Sequence, residues 1–270
     1  MSLRLRHSAA DWCFLTAAMD PRQYYRDLAE AGFTAVEMVR AEHRELARQA
    51  GLVLLTHSAA GIEQGLNHRS HHAELLPKIR QAIQEASQAG IRHVIVFSGM
   101  RLGLSEDAGI TGCIEGLRQL AGDAERARVG LLLEVLSEVV HPDHHCSRMS
   151  FAREVVTQVA SPAVRILYDL FHATHMGDDV IREATTHLEL IGHLHVAALS
   201  NRSRPRAGEL PDYPRITQAL CQAGYDGWWG HEFLPTGEVM QELRQSLAHL
   251  DQSAAAAPGG TGPAGRQAQG

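Results

Sequence analysis

The chain has 270 residues, 44% of them hydrophobic and 21% charged, with a net charge of −6 and a pI near 6.3. That length suits one large domain whose core needs no covalent staples, and the acidic balance excludes a protein that tracks nucleic-acid phosphates along a basic stripe. Cys13, Cys113, Cys146 and Cys221 lie far apart without CxxC spacing, which argues against a disulfide framework; no run approaches the roughly 20 apolar residues of a membrane span, the N-terminus does not read as a signal peptide, and a cytoplasmic location is the expectation.

Short apolar runs alternate with amphipathic stretches along the whole chain. A first strand at residues 3–5 leads to a helix over Pro21–Ala31, opened by an Asp20 N-cap with proline in its first position and closed at Gly32. Strands at residues 35–39, 52–56 and 93–97 precede helices at 42–50, 72–89 and 106–128. The second half repeats the beat: strands at 130–135, 165–169, 191–196 and 227–232, each followed by a helix, at 150–159, 179–188, 213–223 and 238–249. Ala31-Gly32-Phe33, Ala50-Gly51-Leu52, Ala89-Gly90-Ile91 and Ala223-Gly224-Tyr225 each read as a helix stopped by a left-handed glycine that hands the chain to the next strand. Eight strands alternating with eight helices predict an α/β fold, a single (β/α)8 TIM barrel over residues 1–252. A doubly wound open sheet is the competitor, but neither GxGxxG nor GxxxxGK[ST] occurs. Residues 253–270 are low in complexity and read as a disordered tail.

In such a barrel the chemistry stands where strands end. The fifth strand places Glu134 in an otherwise apolar run, the sixth ends in Asp169 with His172 just beyond, the seventh carries His193 and His195 at alternate positions, and the eighth ends in Glu232. A buried carboxylate costs several kcal/mol unless it is paired, hydrogen-bonded or metal-bound. Three converging carboxylates repel one another and a divalent cation relieves that repulsion; three oxygens with one imidazole suit Mn2+, Mg2+, Co2+ or Zn2+. Without a cysteine ligand a closed structural zinc site is disfavoured. Strand caps paired with arginines would explain any one of these acids, but not ionisable groups on four consecutive strands.

Among 17 histidines, His195 lies nearer the mouth and is assigned as a ligand, His193 as a core or supporting residue, and His172 as reaching a substrate oxygen. His57 and Trp12, at the ends of the third and first strands, are assigned to the pocket wall, and Trp228 and Trp229 to the core. His141-Pro142-Asp143-His144-His145-Cys146 is too crowded for a tetrahedral zinc site and reads as a rim loop. The segment from Asn67 to His72 reads as a solvated helix start offering at most one substrate contact. The basic run Arg202-Ser203-Arg204-Pro205-Arg206 reads, beyond Arg202, as anion attraction or solvation.

Tyr168-Asp169-Leu170-Phe171-His172, Gly192-His193-Leu194-His195-Val196-Ala197 and Gly224-Tyr225-Asp226-Gly227-Trp228-Trp229-Gly230-His231-Glu232-Phe233 resemble the hydroxypyruvate isomerase family, part of the xylose-isomerase-like TIM barrel superfamily of sugar isomerases and epimerases. The likeness extends to Asp11-Trp12-Cys13-Phe14, Gly65-Leu66-Asn67, Phe97-Ser98-Gly99 and His141-Pro142-Asp143. The resemblance implies that Glu134, Asp169, His195 and Glu232 bind one divalent metal. It further implies that Glu134 and Glu232 exchange the substrate proton, and that His172 and Arg202 hold the oxygen bearing enediolate charge. The activity implied is metal-dependent isomerisation of a small hydroxy-carbonyl compound, hydroxypyruvate-like or a short sugar or keto acid, through a cis-enediolate. An epimerase or a dehydratase on the same scaffold, and a non-catalytic small-molecule-binding barrel, are the alternatives. A DNA-repair endonuclease of the superfamily would need more metal ligands and a basic face, against the charge of −6. Two loops depart from the family: Val135-Leu136-Ser137-Glu138 stands where relatives place an asparagine and then a lysine, and Ala198-Leu199-Ser200-Asn201-Arg202-Ser203 where they read Pro-Gly-Arg-His. Both border the substrate in such barrels, so the reaction class carries over ahead of any named substrate. The expected partner is a small-molecule substrate, with neither nucleic acid nor membrane. A homo-oligomer is compatible with such a barrel, although no stretch identifies a contact face.

Overall fold

A computed structural model describes residues 5–255. Its strands β1 (Arg6–Ala10), β2 (Ala35–Glu37), β3 (Val53–Ser58), β4 (His93–Val96), β5 (Gly130–Glu134), β6 (Val164–Asp169), β7 (Ile191–Val196) and β8 (Trp228–His231) close into a barrel in sequence order. Every pairing is parallel, including the closing one between β1 and β8. Parallel neighbours require crossovers, which helices supply: α1 (Asp11–Phe14), α2 (Pro21–Ala31), α3 (Arg44–Gln49), α4 (Arg69–Gln88), α5 (Glu106–Ala127), α6 (Met149–Val159), α7 (Leu170–His175), α8 (Val180–Thr186), α9 (Tyr213–Ala223) and α10 (Val239–Ala255). The anticipated glycine stops are present, with φ of 104° at Gly32, 83° at Gly51, 63° at Gly90 and 90° at Gly224. No helix among the described residues is long and apolar enough to cross a membrane.

Three expectations are corrected. The first strand runs over Arg6–Ala10, not residues 3–5: small and polar side chains form it because Ser8 faces a polar part of the barrel interior, a face that apolar patterning does not reveal. Two short helices, α1 and α7, interrupt the strand-to-loop passage, and Asp169 itself caps α7 by accepting the amides of Phe171 (2.8 Å) and His172 (3.3 Å) through Oδ1. The last helix continues to Ala255, three residues into the segment read as a tail; residues 256–270 and the start of the expected first strand, Leu3 and Arg4, lie outside the described residues.

Alternate residues of each strand point inward, and the interior they fill has two unlike halves. Ile95 on β4, Leu132 on β5, Leu167 on β6, and Phe97 and Leu136 just past β4 and β5, pack with Met38 into one apolar cluster. The opposite half holds Ser8, Glu37, Thr56, His193 and His195, joined by hydrogen bonds. Outside the closing seam, His7 Nδ1 lies 2.9 Å from His231 Nε2. Helix α10 clasps that pair, with Ser246 Oγ 2.9 Å from His231 Nδ1 and Asp251 3.2 Å from His7 Nε2.

Candidate active site

The ends of β5, β6 and β7 and the residue after β8 bring Glu134, Asp169, His195 and Glu232 together, all buried, with one potential ligand atom from each lying within 4.8 Å of the others. His195 Nδ1 is 3.1 Å from Glu232 Oε2 and 3.6 Å from Glu134 Oε1, yet it has no partner in hydrogen-bonding geometry. A fully buried ring nitrogen aimed between carboxylates without a bond of its own is what a coordinating lone pair looks like. The donor set, three carboxylates and an imidazole, fits a hard or borderline divalent ion.

The two glutamates differ in environment. Burial pushes Glu134 up to about 7, with the neighbouring charges of Glu232 and Asp169 adding to the rise against the attraction of His195. Burial acts the same way on Glu232, but His195, Arg202 and the Trp12 indole outweigh it and hold the carboxyl down at about 2. His195 is pulled down by burial and lifted further by Glu232 and Glu37, so that it ends well above its ordinary value.

Beneath this layer lies Glu37 on β2, fully buried, a residue that the strand-end reading passed over. Its carboxylate accepts from Ser8 Oγ (2.7 Å) and Thr56 Oγ1 (3.0 Å), and faces His193 Nε2 (3.0 Å) and His195 Nε2 (3.1 Å). Burial raises its proton affinity, but the two imidazoles outweigh that and keep it well below the ordinary glutamate range. A carboxylate at Nε2 holds the His195 proton there and turns Nδ1 toward the cluster. His193 is thus a supporting residue, with its ring against Glu37. The signal was available in the sequence: Ala35-Val36-Glu37-Met38-Val39 sets an acid in an apolar run just as the fifth strand does.

Above the cluster opens a cavity of about 370 Å3 that Trp12, Glu134, His172, Arg202 and Glu232 help to line. Trp12 donates its indole N–H to Glu232 Oε1 (2.8 Å) while half its surface stays exposed. Arg202 pairs with Glu232, comes within 3.5 Å of Asp169 Oδ2 and lies over the rings of Trp12 and Phe171. Asn201 and Arg202 are consecutive non-glycine residues with φ of 54° and 50°, a strained turn that delivers the guanidinium to the site. Burial pulls His172 down to about 4, so the ring is neutral near pH 7, with Nδ1 3.0 Å from Ser137 Oγ. His141 of the rim loop also faces the cavity, its ring 5.5 Å from that of His172.

Three sequence assignments do not match. His57, expected in the pocket wall, points outward to Glu85 of α4 (3.7 Å), because its neighbours Thr56 and Ser58 take the inward positions of β3. Asn67, read as part of a solvated helix start, is buried just ahead of α4: its amide donates to the Met100 carbonyl (2.7 Å) and lies 3.1 Å from His145. Trp228 lies outside the core at the barrel's far end, its ring beneath Arg6 and Arg92, whereas Trp229 is buried as expected.

The model of the xylose isomerase-like TIM barrel family matches residues 25–253. A human protein named a putative hydroxypyruvate isomerase is 27% identical over 268 residues, 92% of this chain and 96% of that one. A 2-oxo-tetronate isomerase of Cupriavidus necator is 26% identical over 223 residues, 77% of this chain and 84% of its own length. Among solved structures, the family 2 AP endonuclease from Brucella melitensis superposes with a TM-score of 0.78 at 24% identity, covering 88% of this chain and 97% of that one; at that identity the likeness is one of fold.

Proposed function

Because the chain belongs to the xylose isomerase-like TIM barrel family, we propose that it is a divalent-metal-dependent isomerase of a small α-hydroxy carbonyl compound, with Glu134 and Glu232 as the proton-transferring pair. The observation that carries the reading is the convergence of Glu134, Asp169, His195 and Glu232 around an unpartnered His195 Nδ1 at the mouth of a barrel. The relatives named isomerases of hydroxypyruvate and 2-oxo-tetronate support the reaction class.

When bound, a divalent ion supplies Lewis-acid polarisation of the carbonyl and its neighbouring hydroxyl. The protein supplies the rest. One glutamate takes the carbon-bound proton, whose electron pair becomes the enediolate double bond as the carbonyl π pair moves to its oxygen; the proton returns to the adjacent carbon, the hydroxyl proton passes to the former carbonyl oxygen, and carbonyl and hydroxyl have exchanged places. In the metal-free protein Glu134 is the more basic of the two, whereas His195, Arg202 and the Trp12 indole hold Glu232 as a carboxylate and orient it; as carboxylates, both can take a proton. The Arg202 guanidinium and the His172 ring face the substrate oxygen and stabilise charge as it develops. In the Mn2+-loaded protein, Glu134→Gln and Glu232→Gln should each lower solvent-deuterium incorporation into a hydroxyketone by at least about a hundredfold, while circular dichroism stays unchanged. Near-normal incorporation in both variants would remove them from these roles.

A further inference from the structure

The cavity walls are as uneven as the barrel interior beneath them. The groups from the end of β5 round to β8 are ionic, whereas the wall from β2 to the loop after β5 is built largely of Met38, Ile62, Ile95, Phe97, Leu136 and Val140. Four of these six, Met38, Ile95, Phe97 and Leu136, belong to the apolar half of the interior, so the wall continues a packed core upward. Ile62 and Val140 stand at the rim, 41% and 39% exposed.

On that side His141 faces the cavity from the rim, whereas Asn67, His68 and Glu138 are engaged elsewhere. Asn67 binds the Met100 carbonyl, His68 faces the Arg101 carbonyl at 3.0 Å, and Glu138 takes Arg101 (2.9 Å) and Ser147 (3.0 Å). Ser58, the other polar side chain of the described lining there, already donates to the Ala59 carbonyl at 3.3 Å. Among the described lining residues the one arginine or lysine is Arg202, and both Asp169 and Glu232 already face it. A polyol tail laid on this wall would lose water from most of its hydroxyls, with Ser58 Oγ and His141 the polar side chains of the described lining on that side to replace it, and a carboxylate tail would meet no free cation. An alkyl or aryl tail would lose nothing and gain burial.

Building on the isomerase reading, we propose that the substrate is an α-hydroxy ketone or aldehyde bearing an apolar substituent, the polar head at the carboxylate cluster and the tail against Met38, Ile62, Ile95, Phe97, Leu136 and Val140. Hexanohydroxamate and gluconohydroxamate test this directly, sharing a chelating head and a six-carbon length and differing only in tail hydroxyls; succinomonohydroxamate adds a carboxylate tail. Titrated into the Co2+-loaded full chain, hexanohydroxamate should bind at least about tenfold more tightly than either other compound, since each buried methylene is worth roughly fourfold. Ile62→Asn/Val140→Asn at the rim should shrink that preference without disturbing the fold, and Leu136→Asn should shrink it further. Equal or tighter binding of the polyol or carboxylate compound, or a preference indifferent to these substitutions, would overturn the assignment. Deuterium exchange into 1-hydroxyhexan-2-one and D-fructose is the separate check on the isomerase reading: apolar preference without exchange into either would sink the reaction and leave the ligand class standing.

Discussion

Glu37 shows how a residue outside the four-residue cluster can orient one inside it. Its carboxylate faces both β7 histidines at about 3 Å and takes two hydroxyl donors besides, so each oxygen is satisfied in the absence of solvent. Glu37→Gln would present an amide N–H to His195 Nε2 and favour the opposite tautomer, with the proton on Nδ1. Divalent-ion affinity measured by calorimetry should fall about 10–100-fold, and Glu37→Asp should recover part of it. An unchanged affinity would mean that His195 is oriented by other contacts. At this scale the sequence was legible wherever an acid interrupts an apolar strand, as at Glu134, and Glu37 carries the same signal. His57 was misplaced for a different reason. Alternation along a strand has a period of two, so an uncertainty of one residue at a strand end moves a side chain from one face to the other.

Strand β8 illustrates the constraint at the level of elements. A Cβ on Gly230 would lie 2.5 Å from Glu37 Oε1 and 2.7 Å from His193 Nε2, inside contact distance of buried groups that have nowhere to retreat. Glycine in mid-strand is conformationally costly, and here it makes room for the polar layer that supports His195. Gly230→Ala should therefore destabilise the protein by about 1–3 kcal/mol, as overpacking does, read as a lower urea midpoint at unchanged slope. A neutral effect would show that the layer can shift. Elements with both local signals, a cap and a glycine stop, were legible to the residue: α2, from Asp20 to Gly32, starts and ends where the sequence places it. Helix α7 was not, because its N-cap is the same Asp169 that the strand-end pattern claims, and one residue serves both elements.

For the whole molecule, the four-residue cluster ties together four strand ends, so an ion held there would couple its binding to fold stability. An ion present at a hundred times its dissociation constant should add about 2.7 kcal/mol to unfolding free energy. That gain depends on pH with a definite sign. Glu134 keeps its proton up to about 7 in the metal-free protein, and His195 holds one beyond its ordinary range, so the ion must displace them. Affinity should rise as pH increases from 5 to 7, with protons released into the buffer, and chelator should lower the melting temperature more at pH 8 than at pH 5.5. Calorimetry in two buffers of different ionisation enthalpy checks this, and pH-independent uptake would contradict it. The barrel was legible from the alternation of short apolar runs and helices. The division of its interior was not, since which strands face one another across a barrel depends on tilt and register that no local pattern encodes.

The clasp at the seam has a consequence for how the molecule is made. Strand β1 has no partner on one edge until β8 arrives, and the His7–His231 pair between them is completed by Ser246 and Asp251 of the last helix. During synthesis, therefore, β1 waits with an unpaired edge until β8 and α10 emerge, and closure depends on contacts 224 and 244 residues apart. Glu232 arrives with that final segment, so the constellation at the mouth comes into being only as the barrel shuts.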